Sequence, residues 1–463
     1  MPPPKSNLAC ILLPLALCAA AAAMANTLQA AASQTAVDAD VSARQGPFTL
    51  ESAINLAIER NPDLHIANER IAQAEAAIGE SLAAFYPQVK ARLSYRYSDN
   101  PAQAFGMIVA QRRFSFTQDI NNPGGVTDFR PEVEATWSLY RGGQDYQRSK
   151  VANLSKEITE LELSSVRNNL ILGVTEGFYT LLVAKENQTI AHRAIDAVQS
   201  ELTETRKRHA AGTALKSDVL SLEVRLAAAR EVDIRAQNAI EMARTVLRTL
   251  LDLPEDDPLE PRIEAERELP ALPASFDGLQ AQALNNRPET QVAQRQLETR
   301  QLELKIAQGE HLPRVDAYVN YGLNERSPEF STAHQNIGSG IMVEMDLFSG
   351  LATNARISKA ERRLAEANAQ IHKIQLQVKQ DIKTAYLALQ EALLQAKVSQ
   401  TAVAAADEAF RLVTLQHRAG TVTVTRFIES EVARDQAQTQ WLTARYDTFR
   451  ADAALQRALG AWR

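Results

Sequence analysis

Residues 350–420 read GLATNARISKAERRLAEANAQIHKIQLQVKQDIKTAYLALQEALLQAKVSQTAVAAADEAFRLVTLQHRAG. No Gly or Pro interrupts the run between its two bounding glycines. Apolar residues recur at Ile357, Ala360, Leu364, Ala367, Ile371, Ile374 and Val378 in alternating steps of three and four. That spacing is a heptad seam and predicts a helix packed along its length. A further step of four, to Ile382, breaks the alternation before Ala385, Leu389, Ala392 and Ala396 resume it. Such a stutter relaxes supercoiling locally. A helix over this stretch is about 100 Å long, at about 1.5 Å per residue. Helices of globular domains average about 10–14 residues, so the length points to a function that spans distance.

Working outward, the chain repeats itself. Asn61-Pro62-Asp63, Pro87 and Tyr95 match Arg287-Pro288-Glu289, Pro313 and Tyr321, each 226 residues later. Leu139-Tyr140-Arg141-Gly142 matches Leu347-Phe348-Ser349-Gly350, and Gly212-Thr213 matches Gly420-Thr421, both 208 residues later. Tyr179 with Tyr386 and Leu247 with Leu455 extend the series. The change of offset places about 18 extra residues between Tyr95 and Leu139 of the first half. Each half predicts one plan: a helix broken near its start by Pro62 or Pro288, two strands, a long helix, a turn and a return helix. The expected helices cover 50–85, 143–210 and 214–252, then 276–310, 351–416 and 422–460. The first repeat is 48–253 and the second 276–460. Between them, 254–275 is a connector that holds five of the 18 prolines.

The chain has 463 residues, a formal net charge of −6 and 45% apolar residues. Mild acidity gives no sign of a nucleic-acid partner. Lys5 precedes an apolar run over Leu8–Ala23, and Ala23-Met24-Ala25 fits a small-x-small cleavage site. Residues 1–25 therefore read as a secretory signal peptide, with a short membrane anchor as the alternative. Residues 26–47 read as a flexible leader. Both cysteines, Cys10 and Cys18, fall in the signal segment, so the mature chain has no thiol for a disulfide or a metal. Leu17 before Cys18 is not the small residue that lipid attachment requires. Beyond the N-terminus no apolar run is long enough for a transmembrane helix.

Four segments switch to a period of two: 88–97, 132–140, 314–322 and 337–348. In the first, Val89, Ala91, Leu93, Tyr95 and Tyr97 alternate with Lys90, Arg92, Ser94 and Arg96. In the second, Val133, Ala135, Trp137 and Leu139 alternate with Glu132, Glu134, Thr136 and Ser138. Their length, about 9–12 residues, suits tilted outer-membrane strands with one face to lipid and one to a wet lumen. A half-buried soluble sheet gives the same alternation; the signal peptide, the thiol-free mature chain and the long helices weigh for the membrane. Trp137 is then an anchor at lipid or at an interface. Four strands do not close a barrel alone, so membrane strands require an oligomer. The long loop 98–130 is expected to cap the barrel outside, and Arg112-Arg113 within it reads as solvated or in contact with anionic lipid.

In this order the repeated motifs resemble the TolC-like outer-membrane efflux proteins, over about residues 48–460. The motifs are Asn61-Pro62 with Arg287-Pro288, and Tyr86-Pro87 with Leu312-Pro313 before strands. Leu139-Tyr140-Arg141-Gly142-Gly143 and Leu347-Phe348-Ser349-Gly350 follow strands, and Ala211-Gly212-Thr213 and Ala419-Gly420-Thr421 form turns. The resemblance implies a fold that is mainly α with membrane β. A homotrimer would form a twelve-stranded β-barrel in the bacterial outer membrane, continued by a periplasmic α-helical barrel. It implies a passive exit channel of a tripartite efflux or type I secretion system, with no catalytic activity and no cofactor. The partners would be a periplasmic adaptor, an inner-membrane transporter of RND or ABC type, and outer-membrane lipid. The rival reading is a periplasmic coiled-coil scaffold without a channel. Neither a nucleophile motif, nor a phosphate-binding glycine loop, nor a pair of histidines at metal spacing is present.

Three groups of residues stand out as sites. Gly212, Thr213, Gly420 and Thr421 end the long helices, where a left-handed cap is wanted; the resemblance makes these turns the adaptor-docking tips. His209 and His417 each precede a tip glycine by three residues. They read as cations favourable at a helix C-terminus, or as a pH-sensitive tip. The resemblance places an acidic aperture just after the second turn, at positions six and nine residues beyond Gly420. These are Arg426 and Glu429; Arg426 departs from the acidic pattern. Asp218 lies six residues after Gly212. Together, Asp218, Arg426 and Glu429 are read as a mixed, salt-bridged constriction, with ordinary solvated first-turn charges as the bland alternative.

Overall fold

The computed structural model describes residues 48–262, 268–273 and 275–462. The expected signal peptide and leader lie outside the described residues, as does part of the connector. The first half runs α1 (Leu50–Arg60), α2 (Pro62–Leu82), β1 (Gln88–Ser98), α3 (Pro101–Ala110), β2 (Val126–Arg141), α4 (Gln144–Ala210) and α5 (Lys216–Leu251). The second runs α6 (Phe276–Asn286), α7 (Pro288–Gly309), β3 (Arg314–Leu323), β4 (Gln335–Glu344), α8 (Ala352–Arg418) and α9 (Val424–Leu459). The same order therefore occurs twice, with α3 as the one added helix. No described helix is both long and apolar enough to cross a membrane.

Local chemistry sets the breaks. Asn61 ends α1 and caps α2, its side-chain oxygen accepting from the Asp63 amide at 2.9 Å, with Pro62 at the first helical position. Its amide also donates to the Leu250 carbonyl at 2.9 Å, tying this break to the end of α5. At the matching break, buried Arg287 pairs with Asp381 of α8 at 2.9 Å and with Glu289 at 3.2 Å. Burial would raise the Glu289 carboxyl, but Arg287 overrides it and holds it below the ordinary range.

The heptad seam of residues 357–396 is the packed face of α8. Ala360, Val378, Ile382, Leu389, Ala392 and Ala396 are buried and the other seam residues half-buried. At the stutter, Val378 and Ile382 join a cluster with Ala283 of α6 and Leu455, Ala458 and Leu459 of α9. There α8 exchanges one neighbour for another: α7 packs beside it toward the strands and α9 toward the tip. Two seams of different direction need the phase shift that one extra residue step supplies. The first half has the matching core. Phe178, Tyr179, Leu247 and Leu251 meet Leu442, Tyr446 and Phe449 of α9, with Tyr179 stacked on Phe449 at 5.3 Å. In the helical region, α5 packs on α4, α4 on α9 and α9 on α8.

The strands form one antiparallel sheet in the order β1-β2-β3-β4. Val89 opposes Ala135, and Leu93 opposes Pro131, on one face; Arg92 opposes Glu132, and Lys90 opposes Glu134, on the other. The apolar face is bare: Val89 and Leu93 are each 67% exposed and Ile341 is 69%. The charged face is knit together, with Arg92 to Glu134 at 3.0 Å and Arg130 to Glu132 at 3.1 Å. The outward Trp137 donates its indole N–H to the Phe85 carbonyl at 2.9 Å, so within the chain it braces the turn that feeds β1.

Three expectations on extent are corrected. β2 starts at Val126 rather than 132, because β1 runs to Ser98 and offers it partners that far. Pro131 is accommodated in a gap on the β3 side, between the last ladder pair, Glu132 opposite Gly322, and the isolated bridge of Phe129 with Glu325. β4 stops at Glu344 rather than 348, because its partner Arg314 follows Pro313, which has no N–H to continue the ladder. The loop 98–130 is not irregular throughout. Asn100 caps α3 with Pro101 at its first position, the same signature as Asn61-Pro62. Arg112, exposed, also donates to the carbonyls of Ala333 (3.0 Å) and Gln335 (2.9 Å), tying this loop to that of the second hairpin.

Strand hands over to helix at Gly142 (φ +58°), where a Cβ would collide with the Gly309 carbonyl at the end of α7. The matching Gly350 (φ +65°) faces open space. Gly350→Ala should therefore lose only the left-handed strain, about 1–2 kcal/mol. Gly142→Ala should lose clearly more, because backbone must move. Thermal unfolding of the two variants checks this, and equal losses would remove the role given to the Gly142–Gly309 contact.

Candidate functional site at the helix tips

The first tip turn follows α4. Gly212 has φ +76°. Its amide donates to the His209 carbonyl (2.9 Å) and the Thr213 amide to the Arg208 carbonyl (2.8 Å), the paired bonds of a Schellman cap. The Thr213 hydroxyl donates to the same Arg208 carbonyl at 3.0 Å, and His209 Nδ1 lies 3.0 Å from the Ala214 carbonyl. The second turn repeats each feature. Gly420 has φ +74°, the Thr421 hydroxyl donates to the Gln416 carbonyl at 2.9 Å, and His417 Nδ1 lies 3.2 Å from the Val422 carbonyl. His-x-x-Gly-Thr is thus a self-contained reversal: glycine turns the chain, threonine bonds back to the last helical turn through both its amide and its hydroxyl, and the histidine ring reaches forward to a carbonyl beyond the turn.

The two histidines then part. His209 is exposed, whereas His417 is buried, with its Nε2 2.8 Å from Glu201 Oε1 of α4. Its two ring nitrogens thus face oxygens on two different segments, the Val422 carbonyl of its own turn and the Glu201 carboxylate of α4. His417 therefore links the second hairpin to the first, which His209 does not.

Of the aperture candidates, Arg426 and Glu429 meet at 3.3 Å, one turn apart on α9, and both are exposed. Asp218 is not with them. Its carboxylate accepts from the Leu215 amide at 3.3 Å and caps α5. Beside it Leu215 is 68% exposed, an apolar side chain left bare at the tip.

Sequence reasoning missed a buried ion cluster above the turns. Arg225 of α5 reaches Glu431 (2.6 Å) and Asp435 (3.2 Å) of α9, and Arg434 also holds Asp435 at 2.7 Å. Glu431 is 0% exposed. Its available signal was position: Glu431 falls where the stripe of Val424 and Phe427 calls for an apolar residue. Burial pushes the Glu431 carboxyl up to about 7, with Arg225 opposing and Asp435 adding to the rise. Below these links, Val198, Leu202, Val219, Leu222 and Leu226 of the first hairpin bury against Val424 of the second.

The sign of the pH effect follows. The folded Glu431 keeps its proton up to about pH 7, whereas the ordinary value is 4.5. In that window the native state binds the extra proton, so stability falls as pH rises through it and is highest below 4.5. Glu431→Gln should flatten this slope in thermal unfolding between about pH 5 and pH 8. A slope unchanged in the variant would assign it to other groups.

Comparison with known proteins gives a consistent pattern. The outer membrane efflux protein family matches residues 53–252 and 279–461. The chain is 25% identical over 422 residues to the pyoverdine export outer membrane protein OpmQ of Pseudomonas aeruginosa, covering 90% of this chain and 85% of that one. It is 23% identical over 421 residues to the cobalt-zinc-cadmium resistance protein CzcC of Cupriavidus metallidurans, covering 90% of each. Its fold matches the crystal structure of a membrane protein from Pseudomonas aeruginosa with a TM-score of 0.78 at 17% identity, over 89% of this chain and 93% of that one. The two matched segments lie one in each structural repeat, and the chain belongs to the outer membrane efflux protein family.

Proposed function

We propose that the chain is a passive exit channel from periplasm to exterior, working as a homotrimer in the bacterial outer membrane with most of its mass in the periplasm. The observation that carries this reading is a four-stranded sheet with a bare apolar face and two edges, β1 and β4, that no strand among the described residues pairs. In lipid each unpaired backbone group costs several kcal/mol, and closed barrels need about eight strands or more. Pairing β1 of one copy with β4 of the next removes both edges, and three copies give the twelve strands that the resemblance implies. The same operation sets α5 of one copy beside α8 of the next. These are the outer members of the helical row, and both leave apolar side chains bare, such as Val224 and Met242 on α5 and Leu394 and Val398 on α8. In this reading residues 1–25 are removed on export, 26–47 form a leader, and 254–275 join the repeats of 48–253 and 276–460.

At the periplasmic end an adaptor docks around Gly212, Thr213, Gly420 and Thr421, with Leu215 as an apolar foothold. An inner-membrane transporter of RND or ABC type supplies the energy. Cargo is set by that transporter; relatives named for pyoverdine export and for cobalt-zinc-cadmium resistance match the same nine tenths of this chain. Arg426 and Glu429, with Asp218 nearby in the ring, form the mixed-charge aperture. His417, through Glu201, is the pH-sensitive member of the tip, and His209 is its structural counterpart.

Cell fractionation tests the reading as a whole: a detergent-extracted, heat-labile trimer in the outer membrane is expected, and a soluble monomer would replace the channel with the scaffold reading. Bilayer recordings test the tip. Arg426→Ala and Glu429→Ala should each raise single-channel conductance, and His417→Gln should remove any pH dependence of opening that His209→Gln leaves intact. Wild-type conductance in both charge variants would rule out the aperture. Identical pH profiles in both histidine variants would rule out the sensor.

A further inference from the structure

The first β-hairpin carries an element that the second lacks. α3 occupies much of the loop between β1 and β2, where the second half has a short connection. The face on which α3 lies follows from strand register. Val126 opposes Ser98, Arg130 opposes Ser94 and Glu132 opposes Arg92 without a bulge. Side chains alternate along a strand, so Val126 shares its face with Asp128, Arg130 and Glu132. Ala104 and Ile108 of α3 bury against Val126. α3 is therefore folded onto the charged side of the sheet, not the apolar side.

Its end is fastened. Gln111 is 1% exposed. Its Nε2 donates to the Thr127 carbonyl at 2.7 Å and to Asp128 Oδ1 at 3.1 Å, with the Glu325 carbonyl at 3.4 Å. Its Oε1 accepts from Arg113 at 3.3 Å. Asn324 of the second hairpin donates to both oxygens of the buried Asp128, at 3.1 and 3.0 Å. Arg112, at φ +53°, bonds across to the second loop. The helix packs on the sheet through the small cluster of Ala104, Ile108 and Val126, and on its own loop through Phe105, edge-on to Phe114 at 5.4 Å; its remaining hold on the sheet is this polar network. The residues Ala102, Gly106 and Val109 are exposed, an uncharged face on the side of the sheet that, farther along the strands, carries Lys90, Arg92 and Glu134.

We propose that α3 is a lid on the external mouth of the channel, latched by Gln111. The proposal rests on the outer-membrane channel reading above, in which the charged face lines the lumen. A helix about 10–12 Å across, laid on the inner wall of every copy, narrows the exit at its outer end. A lid held by a few hydrogen bonds and no core of its own opens locally while the barrel stays folded. The tip then sets entry into the duct and α3 sets the size of what leaves it.

Thiol labelling on intact cells tests this. Both natural cysteines lie at 10 and 18, in the expected signal peptide, so an introduced thiol stands alone. Lys90→Cys reports the lumen and Val89→Cys the lipid face, with a small maleimide and a bulky poly(ethylene glycol) maleimide added outside. With α3 latched, Lys90→Cys should react with the small reagent and only slowly with the bulky one. Adding Gln111→Ala should speed the bulky reagent about tenfold, the effect of losing a buried bonded group, and leave the small one unchanged. Deletion of 101–110 is the second variant, in case the Gln111 change unfolds the loop, and should act in the same direction. Equal bulky-reagent rates with and without α3 would overturn the lid. If Lys90→Cys is no more reactive than Val89→Cys toward the small reagent even without α3, the lumen assignment itself fails.

Discussion

Backbone hydrogen bonding governs this molecule. A strand in water can leave an edge to the solvent; a strand in lipid cannot. The described residues supply four strands, with one apolar face, one ion-paired face and two open edges. On the proposed reading everything else follows from closing those edges. Copies must join side by side, and the joint that pairs strands also pairs helices. A helix of 67 residues fits such an assembly because it is a wall shared with neighbours. No single core of ordinary size would cover it.

The duplication supplies economy, and its departures mark where the halves have separate tasks. The tip turns agree bond for bond, from the Schellman cap to the threonine and histidine contacts. Around them the halves differ. His417 reaches Glu201, while His209 reaches no second partner; Glu431 is buried on Arg225. Near the strands, Gly142 and Gly309 meet back to back, whereas Gly350 stands clear. The α3 insertion occurs once. Both tip links join the first hairpin to the second through buried polar side chains. A buried charge pair is a weak source of stability, and removing one partner is costly, so such links favour a defined arrangement of the hairpins over raw strength.

Much of this was legible from residue order. The 3-4 spacing of 357–396 gives the packed face of α8, and its stutter marks the place where α8 changes neighbour. Asn61-Pro62 and the Gly-Thr turns specify caps through local chemistry. The same Asn-Pro signal stood at Asn100-Pro101 and announced α3, in a stretch otherwise rich in loop residues. Strand ends were less legible, because a strand extends as far as its partner allows. Val126–Pro131 carries no clean alternation and is strand only because β1 faces it. Met345–Phe348 alternates well and is not strand, because β3 has run out at Pro313.

The sequence by itself determined the plan, the repeat, the helix ends and the two faces of each strand, since these rest on periodicity and on bonds between near neighbours. Only the tertiary structure decided which charges meet. Arg225 crosses to Glu431, His417 to Glu201 and Arg287 to Asp381, and Gln111 binds α3 to Asp128. Those partners lie from 17 to more than two hundred residues apart in the chain. Their pairing is set by how helices and strands are laid beside one another, a matter of packing geometry that no local pattern encodes.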